Sequence, residues 1–218
     1  MPEFNNIRGF EKSRLQSLSD GVFSIVMTLL VLEIISNEVT GATSAPELHK
    51  VLLELWPKVL SYVISFVVAG VFWVAQLADL HHLTHTDNRF IWINILFLFW
   101  VSLLPFSAAL LGEHHQYAVA AIIYGCNMIF ASLTLHVSWR YAVYGHRLVD
   151  PDLSAVAIKQ AHVRLLLGPP IYLLGIGVAF YQPHVSFILY VFVAILYVAA
   201  GIVPSRLRFK SLSSVDDD

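Results

Sequence analysis

The sequence predicts an all-α, polytopic membrane protein with six transmembrane helices and both termini cytoplasmic. Three observations carry that prediction. The 218 residues are 57% hydrophobic and 13% charged, with a mean hydropathy of +0.70, which is far too apolar for a soluble domain. Apolar stretches of membrane-spanning length recur along the chain, separated by short polar turns. Six such spans place both termini on one side, and Lys and Arg divide between the two sides as eleven to two. The two are Lys50 and Lys58, so the rich side is the cytoplasmic one.

Each element has a local reason. Residues 1–11 are polar, carry both charge signs and read as a cytoplasmic leader. They make a poor signal peptide, although Gly41 to Ala45 has the small residues of a cleavage region. The first span is 12–36, followed by a polar loop. Pro46 is placed to open a helix whose periodicity runs on to Leu80. Its membrane part, 56–80, begins at Trp56-Pro57, where Trp suits an interface. The third span is 89–111, with Asn94 inside it and Pro105 near its far end, and the fourth is 117–140. A longer polar loop turns at Asp150-Pro151. The fifth span, 163–181, holds Gly168-Pro169-Pro170, which should kink it. The sixth is 184–203, and 205–218 is a polar cytoplasmic tail. Residues 12–204 thus form one transmembrane domain. The single Cys126 excludes a disulfide framework and a thiolate metal cluster.

The first span is the unusual one. Its uncharged run, Gly21 to Leu32, is short and bracketed by Asp20 and Glu33. Carboxylates at such depth are costly unless they face protein or water, so this helix should line something wet. At about 100° per residue, Leu18, Gly21, Ile25, Thr28, Leu29 and Leu32 fall on one stripe. Copies of the helix around an axis would stack rings of Ile25, Thr28/Leu29 and Leu32, wider at Gly21. Taken on spacing alone, the stripe suits ordinary helix packing better, since any helix offers one.

Other chemistry finds little support. His81-His82-Leu83-Thr84-His85 has the spacing of a membrane di-iron histidine box. However, His114-His115 lies in the opposite turn, and His146 and His162 stand alone, so no metal site is expected. There is no G-x-S-x-G, P-loop, G-x-G-x-x-G or T-V-G-Y-G. An enzyme is therefore not expected, nor is a carbonyl-filter channel or a nucleic-acid partner. Asp20, Asp79 and Asn94 sit toward the cytoplasmic ends of the first three spans, where a hydrogen-bonded knot would satisfy them. As a rival reading, Asp20, Asp79 and His81, His82 and His85 could form the proton relay of a proton-coupled secondary transporter, and a His-box metal-dependent membrane enzyme is a more remote alternative.

From Arg14 the sequence runs R-x-x-x-Leu18-Ser19-Asp20-Gly21-Val22-Phe23-Ser24-Ile25, and then Thr28-Leu29-Leu30-Val31-Leu32-Glu33-Ile34. This resembles the R-x-x-x-F-S-D motif of the endolysosomal potassium channels, the transmembrane protein 175 family, whose prokaryotic members have six spans. Trp56-Pro57, Ser65-Phe66, Gly70, Trp73, Asn94 and Ser102 to Glu113 extend the resemblance. Leu18 replaces the usual Phe, and Gln76 stands where the family usually has His. The resemblance implies a homotetramer in a cell (plasma or inner) membrane, with four first helices around a central pore. It implies potassium permeation without a re-entrant filter loop and without a cofactor. The apolar constriction would fall on Ile25, Leu29 and Leu32, with Thr28 beside them. Arg14, Ser19, Asp20, Trp73 and Asn94 would pack the cytoplasmic end, and Glu33 would stand at the outer mouth.

Overall fold

The computed structural model describes residues 12–34 and 44–199, and they form a helical bundle. The expected leader, tail and last turn of the sixth span lie outside the described residues, as does most of the first loop.

Helix α1 spans Lys12–Leu30 and tightens into a 3-10 turn, Val31–Ile34. Helix α2, Ala45–Glu54, starts where Ser44 accepts a hydrogen bond from the Glu47 amide at 3.4 Å, with Pro46 in its first turn. Helix α3, Trp56–His81, is 26 residues long. Lys12 donates to the carbonyls of His81 and Leu83 at 3.1 and 3.0 Å, closing the end of α3 and tying the start of α1 to it.

The third span departs from expectation. It is two helices, α4 (Asn88–Ser102) and α5 (Leu104–Glu113), broken at Leu103. Pro105 sits in the first turn of α5, where its missing N–H costs nothing. The proline therefore breaks the helix within the span. Asp87 caps α4, accepting from the Phe90 amide at 2.8 Å.

Helix α6, Ala118–Val143, is continuous. The turn after it uses a left-handed Gly145 (φ 60°). The fifth span comprises α7 (Ala155–Leu166) and α8 (Gly168–Ala179), with the break at Leu167. The Gly168-Pro169-Pro170 stretch opens α8, as a proline pair should. Helix α9 is Pro183–Ala199. Among the described residues, four stretches are long and apolar enough to cross a membrane: 56–81, 88–113, 118–146 and 158–179. Helix α1 is not among them, which reflects its polar ends.

Two packing centres hold the bundle. In the first, α1 lies against α3, α4 and α5. Phe23 meets Phe97 at a ring-centre distance of 6.1 Å, and Phe72 meets the same ring edge-on at 5.9 Å. In the second, α6 packs on α8 and α9 through Tyr124, Tyr172 and Tyr190, with Tyr190 5.4 and 5.6 Å from the other two rings. The Tyr190 hydroxyl donates to the Ala121 carbonyl at 3.0 Å. Gly125 and Gly175 leave the room this ring fills: a Cβ on either would collide with Tyr190. Asn127 to Ser107 (3.1 Å) and Ser61 to the Ala108 carbonyl (2.7 Å) pin α5 to its neighbours.

Candidate functional site

Helix α1 has two unlike faces. Leu15, Phe23, Val26 and Leu30 are at most 2% exposed and form its packed side, with Ser19 buried among them. On the other side Leu18, Ile25, Leu29 and Leu32 are 49, 60, 42 and 53% exposed. Gly21, Ser24 and Thr28 share that exposed side, and nothing lies within 4 Å of a Cβ placed on Gly21. The stripe marked out by spacing is thus the unpartnered face of α1 in a single chain.

That face differs from the surfaces of the outer helices. Helix α4 exposes Trp92, Leu96 and Phe99, and α9 exposes Ile188, Phe192 and Ile195, all large and apolar. On α1, exposed hydroxyls interrupt the apolar residues. Thr28 donates to the Ile25 carbonyl at 2.8 Å and Ser17 to the Ser13 carbonyl at 2.9 Å, satisfying both hydroxyls within the helix. Glu33 falls in the 3-10 turn, and its side chain is outside the described set. Arg14 is exposed in the first turn of α1.

The packed side of α1 is held by polar contacts from α3, which continue through α4 to α6. Trp73 Nε1 on α3 donates to Asp20 Oδ1 at 2.8 Å. Gln76 Nε2, one turn on, donates to Ser19 Oγ at 3.1 Å and to Asn94 Oδ1 on α4 at 3.2 Å. Asn94 Nδ2 donates in turn to Ser138 Oγ on α6 at 2.9 Å and to the Phe90 carbonyl at 2.9 Å. Ser19 passes its own proton to the Leu15 carbonyl at 3.0 Å. The chain α1–α3–α4–α6 is therefore one connected network in the bundle interior, where an unpaired amide would be expensive. Asp79 is buried one turn beyond Gln76.

Sequence reasoning placed Ser19, Asp20, Trp73 and Asn94 in this region. Gln76, the departure from the family pattern that belongs to the same packing knot, is its hub. Its amide supplies donors to two helices, as a ring N–H could supply one. Ser138 went unnoticed, since a lone serine in an apolar span carries no signal.

The His81-His82-x-x-His85 stretch does not converge on a metal geometry. His81 and His82 pack edge-on at 5.7 Å, His82 lies 6.1 Å from Trp139, and His85 Nδ1 is 3.0 Å from the Thr84 hydroxyl. Among the described residues no three His, Cys, Asp or Glu side chains come together in a metal-holding group.

Residues 14–105 match the family described as endosomal/lysosomal potassium channel TMEM175. A potassium channel of Streptomyces collinus is 30% identical over 191 residues, covering 86% of this chain and 91% of that protein. A potassium channel of Chamaesiphon minutus is 32% identical over 184 residues, covering 81% and 88%. The endosomal/lysosomal proton channel TMEM175 of Gallus gallus is 30% identical over 145 residues, covering 62% of this chain but 29% of that protein. In three dimensions, the crystal structure of a lysosomal potassium-selective channel TMEM175 homolog from Chamaesiphon minutus superposes with a TM-score of 0.75 at 28% identity. That superposition covers 87% of this chain and 97% of the other.

Proposed function

This chain belongs to the TMEM175 family of ion channels, and from that premise we propose that it is a potassium-permeable, potassium-over-sodium-preferring leak channel of a cell membrane. It is an integral membrane protein and not an enzyme. Four chains assemble around a central axis with the exposed face of α1 turned inward. The charge asymmetry of its loops puts both termini in the cytoplasm.

One observation carries the reading. The face bearing Ile25, Thr28, Leu29 and Leu32 is uncovered in a single chain, while the opposite face is fully packed. From Ile25 to Leu32 the helix rises about 10 Å, so the apolar rings would make a constriction of that length. Such a ring gates by dewetting and sieves by the cost of stripping water from the ion. Sodium holds its water more tightly than potassium, so the sieve favours potassium. The discrimination is modest because no ring of carbonyls replaces the lost shell. Below the constriction Gly21 widens the path. Glu33, repeated four times at the outer mouth, would concentrate cations there. The network of Ser19, Asp20, Trp73, Gln76 and Asn94, with Arg14 in the first turn, holds the cytoplasmic end of α1 in register.

Thiol accessibility tests this directly. In a Cys126→Ala background, Leu29→Cys should be blocked by a water-soluble thiol reagent that leaves Leu30→Cys conducting. Block at position 30 but not at 29 would put the pore on the other face of α1.

A further inference from the structure

Away from α1, two imidazoles meet at the end of the bundle opposite Lys12. His115 lies in the turn between α5 and α6, and His184 is in the first turn of α9. Their ring centres are 5.4 Å apart at an interplanar angle of 60°. His115 Nδ1 is buried without a hydrogen-bond partner. Trp56 and Phe187 wall the pair on one side, with ring centres 5.9 and 6.0 Å from that of His115. His184 is exposed on the other side.

We propose that His115 and His184 bind an external divalent transition metal of the zinc class, tying the α5–α6 turn to the start of α9. A tetrahedral zinc takes imidazole nitrogen at about 2.0–2.1 Å, and adding about 1.1 Å from nitrogen to ring centre sets two ligating rings about 5.2 Å apart. The observed ring-centre spacing lies within a few tenths of an ångström of that value. An edge contact between aromatic rings also accepts this distance, but it does nothing for the stranded Nδ1. Buried polar atoms are ordinarily paired, and a metal ligated there, or at the other nitrogen with Nδ1 turned outward, removes the anomaly. The aromatic wall keeps water off one side of the pair, and the open side leaves two coordination positions for solvent.

The inner pair, His136 and His162, is the competing candidate, with ring centres 5.0 Å apart. Arg140 lies one turn from His136 on α6 and acts electrostatically on both rings. His136 Nδ1 is likewise buried without a hydrogen-bond partner, but a fixed cation beside that pair opposes a second one. This site departs from the sequence expectation of no bound metal. It uses two protein ligands, consistent with the absence of a three-residue group among the described residues.

The test uses the purified full-length protein in detergent, equilibrated with micromolar zinc chloride, desalted, and analysed for metal per chain and for thermal unfolding. Near-stoichiometric zinc and a raised Tm are expected for the wild type, with both lost in His184→Gln and in His115→Gln. His184 is exposed, so its variant should fold even if that of His115 does not. Zinc should persist in His82→Gln and His162→Gln. No zinc on the wild type, or zinc retained in His184→Gln, overturns the proposal.

Discussion

The contact between Trp73 and Asp20 offers the sharpest stability prediction. Trp73→Phe keeps a ring on α3 but removes the N–H that Asp20 accepts at 2.8 Å. A hydrogen bond to a charged acceptor contributes about 1.5–3 kcal/mol in soluble proteins. Interhelical bonds in membrane proteins average about 0.6 kcal/mol with a maximum near 1.7. Both partners here are only half buried, so water screens part of the charge. The expected coupling is therefore about 1–1.5 kcal/mol. The measurement is a double-mutant cycle of Trp73→Phe and Asp20→Ala, with unfolding by sodium dodecyl sulfate in bicelles followed by far-ultraviolet circular dichroism. Ring volume lost in Trp73→Phe cancels in the cycle. Coupling below about 0.3 kcal/mol would show that the two side chains do not act together, and that something else holds the start of α1.

Further outcomes follow from the same structure. Leu29→Ala and Leu32→Ala should each raise sodium permeation relative to potassium in bilayer recordings; unchanged ratios would move the constriction elsewhere. Gly21→Leu meets no neighbour within a single chain, so it should leave the helical content and Tm of the protein intact while lowering conductance. Gln76→Leu should cost about 1–2 kcal/mol, because it strands the Asn94 carbonyl oxygen. Gln76→His should recover much of that loss, measured in the same unfolding assay. Gly175→Ala forces a methyl group against the buried Tyr190 ring and should cost about 1–3 kcal/mol.

Much of this was readable from residues, and the exceptions have physical causes. Hydropathy marked the apolar stretches because lipid demands continuous helices of fixed length. The same smooth signal hid the break at Leu103, since a proline in the first turn of a new helix leaves the apolar run uninterrupted, whereas Gly168-Pro169-Pro170 announced the break at Leu167. The 100° periodicity isolated the Leu18-to-Leu32 stripe. It could not tell an exposed stripe from a packed one, because α1 is amphipathic in two senses. One side fits Phe97 and its neighbours, and the other side is uncovered. The polar network was half legible. An Asp and an Asn inside spans demand partners, but which amide or hydroxyl answers depends on helix rotation. The partners of Gln76, and the part played by Ser138, became visible only in three dimensions.

The central claim is tested most directly by recording purified protein in a planar bilayer with potassium on one side and sodium on the other, at equal pH. The account predicts discrete single-channel steps with a reversal potential displaced toward potassium. An added pH gradient at symmetric potassium should shift that potential little. Current that reverses with the proton gradient alone, or gradient-dependent flux without steps, would contradict a potassium pore lined by Ile25, Leu29 and Leu32.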